Sequence, residues 1–160
     1  MKNKKSAKEE FIEYITEVNR IKGLDELSSK IIGNLYSEPE DLSLEELSKR
    51  TKYSLSAICT STKFLERMSV LKRIKKPKSK KVYYYIEKDM MKKFTKIWKE
   101  RYKKLISLSK KRIPEIIELY KSQKASKEEL KIVKSHYNQI LNMEKIMKKF
   151  IETLENETSN

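Results

Sequence analysis

Apolar residues recur every three or four positions along most of the chain, which predicts a largely helical protein. The first stripe covers residues 8–22, and Gly23 fits the glycine that often follows a helix C-terminus. A second helix is expected over 24–36, before Pro39. The first stripe consists of Phe11, Tyr14, Ile15, Val18 and Ile21, and the second of Leu24, Leu27, Ile31 and Leu35.

Two short helices joined by a tight turn are predicted next. Ser43 and Glu46 form the S-x-x-E pattern of a capping box, in which each side chain bonds the backbone N–H of the other residue, so a helix is expected over 44–51. Ser54 is a natural N-cap for a helix that reaches about Met68. Two helices with this spacing indicate a helix-turn-helix.

The period of the pattern changes from 3.6 to 2 after Ser69, which indicates strands. A basic segment, KKPKSKK, is followed by the apolar and aromatic segment VYYYI. Such a sequence is typical of a β-hairpin with Pro77 in its tip, where a missing backbone donor does no harm. In the returning strand, one face is expected to contain Val82, Tyr84 and Ile86, and the other Tyr83 and Tyr85.

A long helix over about 90–110, capped by Asp89, is expected to end before Pro114, and a short helix would span 113–123. The long helix contains an aromatic stripe of Phe94, Trp98 and Tyr102. Core or dimer interface is one interpretation of this stripe. A cage that holds a quaternary ammonium ligand by cation–π attraction is the other.

The last helix is predicted to begin after Ser126, which forms a capping-box pattern with Glu129. Its apolar stripe has the spacing of a coiled-coil seam and consists of Leu130, Val133, Tyr137, Ile140, Met147, Ile151 and Leu154. Glu144 interrupts this seam. It either sets the register as a polar residue or marks a point where the helix turns away from its partner.

Positive charge is concentrated in one part of the chain. The formal net charge is +15 over 160 residues, and residues 54–81 contain nine basic residues and one acidic residue. Like charges this dense repel each other unless an anion neutralises them, so a polyanionic partner is favoured. A membrane surface fits less well than nucleic acid, because the cations lie on a predicted hairpin rather than on an amphipathic helix. Lysines that serve only solubility and edge protection are the remaining alternative.

One face of the second helix of the motif has the residue types that a DNA-reading helix needs. Hydroxyl side chains near its start are followed by cations at helical spacing, and small polar side chains let a helix enter a major groove about 12 Å wide. The predicted DNA-binding residues are Ser54, Ser56, Thr60, Lys63 and Arg67 of this helix, with Arg73, Lys75, Lys76, Lys78, Lys80 and Lys81 of the hairpin.

The segment LSLEELSKRTKYSLSAICTSTKFLERMSVLKRIKK, followed by VYYYIEKD, resembles the winged helix-turn-helix of MarR-like transcriptional regulators and is most similar to the GbsR-like branch. The resemblance covers about residues 24–90. It depends on Ser43, Glu46 and Leu47, on Ser54, Ile58, Leu65 and Glu66, on Leu71, Lys72 and Arg73, and on Tyr83 to Tyr85. Two features depart from the family pattern: Ser69 replaces a glycine, and the wing tip, Lys78 to Lys81, lacks an arginine.

This resemblance implies a mainly α-helical fold with a small β-hairpin. The implied domains are an N-terminal dimerisation helix (1–23), a winged DNA-binding domain (24–88) and a C-terminal helical dimerisation region (89–160). It also implies a homodimer on a pseudo-palindromic double-stranded DNA operator, with helix 54–68 in the major groove and wing 72–86 on the flanking backbone and minor groove. The expected dimerisation residues are Phe11, Ile15, Val18, Trp98, Tyr137, Ile140, Met147 and Ile151. GbsR-like relatives sense small osmolyte-related ligands, so a small-molecule effector is a further expected partner.

Other functions have less support in the sequence. A nonspecific architectural nucleic-acid-binding protein would have the same charge, and only the hydroxyl-rich start of the recognition helix argues against it. No phosphate loop or catalytic constellation is recognisable, and the single Cys59 and His136 are isolated, so we expect no enzyme, metal site or cofactor. Cys59 is interpreted as a small buried or half-buried side chain rather than a redox sensor. One cysteine and no apolar run of about 18 residues predict a cytoplasmic protein without a membrane span.

Overall fold

The fold consists of a winged helix-turn-helix unit and a unit of two long helices. A computed structural model describes residues 5–123 and 126–158, and within these ranges it contains six helices and three strands. Their bounds are α1 Ala7–Ile21, α2 Glu26–Ser37, β1 Leu42–Ser43, α3 Leu44–Thr51, α4 Leu55–Arg67, β2 Lys72–Lys75, β3 Val82–Tyr85, α5 Met90–Ser122 and α6 Lys127–Thr158. One compact unit extends to Met90 and therefore includes α1, and the other begins at Met91. The predicted mainly helical class and winged helix-turn-helix are confirmed.

Local capping signals determine where several helices begin and end. The predicted capping box of α3 is present, with Glu46 N–H donating to Ser43 Oγ at 3.2 Å and Ser43 N–H donating to Glu46 Oε2 at 2.7 Å. An equivalent box of Ser6 and Glu9 begins α1, although the S-x-x-E pattern there was not used in the prediction. Gly23 follows α1 with a φ of 87°, a conformation that residues with a Cβ rarely adopt.

The sheet has three antiparallel strands in the order β1-β3-β2. The hairpin of β2 and β3 was predicted, whereas β1 was not, because a strand of two residues leaves no alternation to detect. Its Ser43 pairs with Tyr83, so the residue that caps α3 also lies in the sheet. The predicted faces of β3 are confirmed, since Tyr84 and Ile86 are buried and Val82 packs against the same core.

The core of the first unit is formed by apolar side chains from all its helices and from the sheet. Ile31, Leu47, Ile58 and Leu65 are fully buried, and Ile15 of α1 packs against them. The complete buried set is Ile31, Ile32, Leu35, Leu42, Leu47, Ile58, Leu65, Leu71, Tyr84 and Ile86. Burial of each such side chain contributes about 1.5–3 kcal/mol, so this core holds α4 and the wing in one rigid frame.

An acidic residue after α2 joins three parts of the first unit. Glu38 forms ion pairs with Lys8 of α1 and Arg50 of α3, and its side chain is only 12% exposed. The hydrogen bonds from Lys8 and then Arg50 are the main causes that lower the pKa of Glu38 below its usual value. This network fastens the N-terminal helix to the helix-turn-helix.

The two long helices form the second unit. Lys99 near the start of α5 pairs with Glu155 near the end of α6 at 2.5 Å, and Lys110 pairs with Glu144 at 3.0 Å, as expected for an antiparallel hairpin. The seam of α6 is turned inward in the single chain, with Ile140 and Leu154 buried. Glu144 lies within this seam and pairs there with Lys110 of α5.

Pro114 does not end a helix, so the predicted boundary is wrong. α5 runs through it without a break for 33 residues, or about 50 Å. Proline at this position removes one backbone hydrogen bond to the preceding turn. The buried residues Ile106 and Ile113 lie about two turns apart on the same side of α5. They extend the packed stripe up to the proline, and this packing outweighs the local preference.

None of the helices in residues 5–123 and 126–158 combines the length and apolar character that a bilayer crossing requires.

Candidate nucleic-acid interface

The turn between α3 and α4 is held by short polar contacts. Ser54 caps α4 by accepting a hydrogen bond from Ala57 N–H at 3.2 Å. Ser48 Oγ donates to the Tyr53 carbonyl at 2.6 Å, and Lys52 ends α3 in the left-handed conformation with a φ of 61°. These contacts fix the angle at which α4 leaves the motif, and the predicted N-cap at Ser54 is confirmed.

Two buried hydroxyl contacts orient α4 about its own axis. Ser61 Oγ lies 2.8 Å from Ser28 Oγ of α2, and Thr62 Oγ1 donates a hydrogen bond to the Tyr84 hydroxyl of β3 at 3.1 Å. Both residues lie on the core side of α4 together with Ile58. Because buried polar groups are costly unless paired, these contacts favour one rotation of the helix.

The opposite face of α4 is exposed to solvent and contains four predicted site residues, Ser56, Thr60, Lys63 and Arg67. Thr60 Oγ1 donates to the Ser56 carbonyl at 3.1 Å. A hydroxyl that already donates keeps its lone pairs free, so Thr60 presents an acceptor on this face. Lys63 and Arg67 follow on the same side and border a shallow surface groove of about 620 Å³.

The helical spacing of Leu55 with Ile58 and Leu65 predicts that all three lie on the buried side of α4, and the structure corrects this prediction for Leu55. It is 48% exposed, because as the first residue of the helix it lies beyond the end of the buried stripe that begins at Ile58. An apolar side chain is therefore exposed next to Ser54 and Ser56. Cys59 is half-buried and its thiol is free, which agrees with its interpretation as a small packing residue.

The wing holds its cations on a well-defined turn. Ser79 N–H donates to the Lys76 carbonyl at 3.2 Å, Lys78 adopts a φ of 62°, and Ser79 Oγ accepts from Lys81 N–H at 3.2 Å. Exposed cations of the wing are Lys72, Arg73, Lys75, Lys78, Lys80 and Lys81. Among the predicted cations of α4 and the wing, all of which the structure describes, only Lys76 forms an ion pair, with Asp41 at 3.5 Å.

Comparison with known proteins supports the fold. No protein-family profile matches the chain, and no curated protein is significantly similar to it in sequence. The crystal structure of a transcriptional regulator superposes with a TM-score of 0.69 at 16% identity, over 97% of this chain and 100% of that one. At this identity, the similarity establishes a shared fold.

Weaker structural similarity is found to two further regulators. The Staphylococcus aureus MepR–DNA complex matches with a TM-score of 0.41 at 15% identity, over 84% of this chain and 90% of that one. PerR from Streptococcus pyogenes, a peroxide-sensing regulator, matches with a TM-score of 0.39 at 19% identity, over 48% of this chain and 56% of that one.

The predicted dimerisation residues lie in different environments. On α1, Phe11 is 44% exposed, Val18 is partly buried and Ile15 packs on the core. On α5, Trp98 is 43% exposed. On α6, Ile140 is buried in the single chain, and partly buried residues are Tyr137, Met147 and Ile151.

α5 presents a second apolar stripe, which the sequence analysis did not separate from its buried side. Its members are Met91, Phe94, Trp98, Leu105, Leu108 and Leu119, all substantially exposed. Successive members are three, four, seven or eleven residues apart, and these steps keep them on one face of the helix, as in a helix–helix seam. The prediction missed the stripe because helical spacing alone does not separate a core face from an exposed one.

The aromatic stripe of α5 is completed by a residue of α6. Phe94 and Trp98 have ring centroids 5.9 Å apart, and Phe150 lies 6.2 and 6.5 Å from them. Tyr102, which the sequence groups with the first two, instead borders a groove of about 470 Å³ between α5 and α6. Its hydroxyl is buried without a hydrogen-bond partner in the described residues, and burial, then the Glu144 carboxylate, raises its pKa.

The described residues contain no group of three or more His, Cys, Asp or Glu side chains arranged to hold a metal ion.

Proposed function

We propose that this protein is a transcriptional regulator that binds double-stranded DNA as a homodimer, in the manner of MarR-like proteins. The observation that supports it best is the combined surface of α4 and the wing. Cations there stand beside hydroxyl groups on a rigid frame, and only Lys76 among them is neutralised by a carboxylate. Such a surface costs stability through self-repulsion unless a polyanion binds it.

In this proposal, α4 enters the major groove and the wing lies on the flanking backbone. Ser56 and Thr60 contact base edges, and the free lone pairs of Thr60 suit the amino groups of adenine or cytosine. The exposed Leu55 is suited to the methyl group of thymine. Lys78 and Lys80 contact phosphates, because lysine is a point charge without the planar fork of arginine.

The homodimer is supported by the exposed apolar stripe of α5. A seam of apolar residues at heptad spacing is what two helices bury against each other. Trp98 has a place on this stripe, and Phe11 offers a further exposed contact. Ile140 contributes indirectly, since it is already buried in its own chain and holds α6 in place.

Selection of DNA from a random duplex library, followed by footprinting, tests the proposal. We expect an enriched sequence with two-fold symmetry and half-sites about 34 Å apart. Specific binding should exceed binding to random duplex by about 10³-fold or more. Equal affinity for all sequences would instead support the nonspecific architectural alternative.

Variants of the two surfaces should affect binding differently. Lys78→Ala or Lys80→Ala should weaken binding to every sequence and lower the slope of log K against log salt by about 1. Thr60→Ala or Ser56→Ala should change the preferred sequence with little change in slope. Lys131→Ala, which removes an exposed lysine from α6, is the control for charge alone. An unchanged slope in both wing variants would show that the wing does not contact phosphate.

Analytical ultracentrifugation tests the dimer. Trp98→Ala should shift the protein toward monomer, whereas Ile132→Ala, which removes an apolar side chain that is 69% exposed on α6 and lies off the stripe, should not. A Trp98→Ala protein that stays dimeric but loses a response to quaternary ammonium compounds would favour the ligand-cage interpretation.

A further inference from the structure

Lys76 differs from the other cations of the wing because its side chain contacts a residue of β3 and a residue next to β1. Its Nζ lies 3.5 Å from Asp41 Oδ2 and 4.6 Å from the centroid of the Tyr83 ring. Lys76 directly follows β2, Tyr83 lies in the central strand β3, and Asp41 directly precedes β1. One side chain therefore crosses the base of the wing from one edge of the sheet to the other.

Tyr83 also contacts the tip of the wing. Its hydroxyl lies 3.4 Å from Ser79 Oγ, the atom that accepts the hydrogen bond from Lys81 N–H. The ring thus contacts Lys76 at the base of the turn and Ser79 at its tip. An ammonium group over an aromatic ring is attracted to the ring by a cation–π interaction, and a nearby carboxylate adds an ion pair to the same ammonium group.

We propose that Lys76 is a positioning residue that fastens the wing through Asp41 and Tyr83, and that Lys78, Lys80 and Lys81 make the phosphate contacts. For Lys76 to reach a phosphate, it would have to leave both partners. The ammonium groups of the three tip lysines have no ion pair in the described structure and are free to bind. A wing ordered in advance loses less conformational entropy when it binds. This inference rests on the proposed function only for its effect on DNA binding.

Asp41→Asn separates this role from simple electrostatics. The substitution makes the protein more positive by one charge, so charge alone predicts tighter binding to DNA. If Asp41 holds Lys76 in place, the wing becomes less ordered and affinity falls by about three-fold to ten-fold. Glu40→Gln is the matched control, because it removes one negative charge from the neighbouring exposed residue. Tighter binding and a steeper salt slope for Asp41→Asn would overturn the proposal, since they would show that Asp41 keeps Lys76 from phosphate.

Substitutions of Lys76 itself provide a second discrimination. Lys76→Arg keeps a cation that can pair with Asp41 and stack on Tyr83, so it should retain near wild-type affinity. Lys76→Gln should lose about as much affinity as Asp41→Asn, with a smaller change of salt slope than Lys78→Ala. A slope that falls by about 1 in Lys76→Gln, as for a direct contact, would contradict the positioning role.

Wing order can be measured without DNA. Two rates should rise several-fold in Asp41→Asn and in Tyr83→Leu, but not in Glu40→Gln. They are the rate of amide hydrogen exchange over residues 76–81 and the rate of tryptic cleavage after Lys78, Lys80 and Lys81. Unchanged exchange and cleavage in both variants would refute the proposal. Because this assay needs no ligand, it keeps its meaning if the protein fails to bind DNA, which only the selection experiment decides.

Discussion

Gly33 should resist substitution by alanine, although alanine is the better helix former. Gly33 lies within α2 where α1 packs against it. A Cβ added there would lie 2.6 Å from Thr16 Oγ1 and 2.8 Å from the Ile12 carbonyl oxygen, both on α1. The carbonyl belongs to the backbone of a helix and cannot rotate away, so the two helices would have to separate.

The expected magnitude follows from two opposing terms. Replacing glycine by alanine inside a helix contributes about 1 kcal/mol of stability. Forcing an extra methyl group into a closely packed contact costs about 1–3 kcal/mol, and a backbone obstacle favours the upper half of that range. Thr16 gives little relief, because its hydroxyl donates to the Ile12 carbonyl at 2.7 Å. We therefore expect Gly33→Ala to lower the free energy of unfolding by about 1–2 kcal/mol.

Urea denaturation followed by far-UV circular dichroism measures the global effect, and hydrogen exchange of α1 peptides measures the local one. The local measurement is needed because a chain with two compact units need not unfold in a single transition. Thr16→Ala removes the nearer obstacle and leaves the Ile12 carbonyl, so Gly33→Ala should cost less in that background. A Gly33→Ala protein that is more stable by about 1 kcal/mol, with unchanged α1 exchange, would refute the close approach of the helices.

Three further predictions concern stability. Ser69 has a φ of 57°, so Ser69→Gly should raise the free energy of unfolding by about 0.5–1 kcal/mol in urea titrations; a loss would contradict the backbone conformation. Tyr84→Phe removes one acceptor of the Thr62 hydroxyl, which can still donate to the Cys59 carbonyl. Calorimetry should therefore show that the free energy of unfolding falls by only about 1 kcal/mol, less than for a buried donor left without an acceptor. Glu38 has a lowered pKa in the folded state, so the stability it contributes is present above its unfolded pKa and is lost as pH falls through the lowered value. The difference in stability between wild type and Glu38→Gln should be nearly constant from pH 5 to 7 and shrink as the pH falls below about 4.5; a difference that does not shrink on acidification would exclude the ion pairs as its source.

The elements that the sequence predicts well are those with local signals. Ser43 with Glu46 and Ser54 mark helix starts through contacts only three residues apart, and both are present in the structure. The wing is also a local pattern, since β3 alternates between core and outer face. Ser69 shows the limit of this approach, because its positive φ explains why a glycine would be expected there but not why a serine is tolerated.

The features that escaped prediction depend on residues distant in sequence. The strand β1 exists because Leu42 and Ser43 meet Tyr84 and Tyr83, about forty residues later. Pro114 stays helical because tertiary packing outweighs its local cost. The pairing of Lys76 with Asp41 follows from the order of strands in the sheet, so the sequence showed Lys76 only as one more cation among many.

Strand β3 links the two surfaces that the proposed DNA complex requires. Tyr84 faces the core and accepts the hydrogen bond from Thr62 of α4, while Tyr83 faces outward beneath Lys76 and beside Ser79. Adjacent residues of a strand point to opposite faces at a fixed spacing. The distance between the recognition helix and the wing is therefore set by two neighbouring tyrosines rather than by the flexible lysines. It follows that a shift of β3 by one residue would exchange these two faces and detach both surfaces at once.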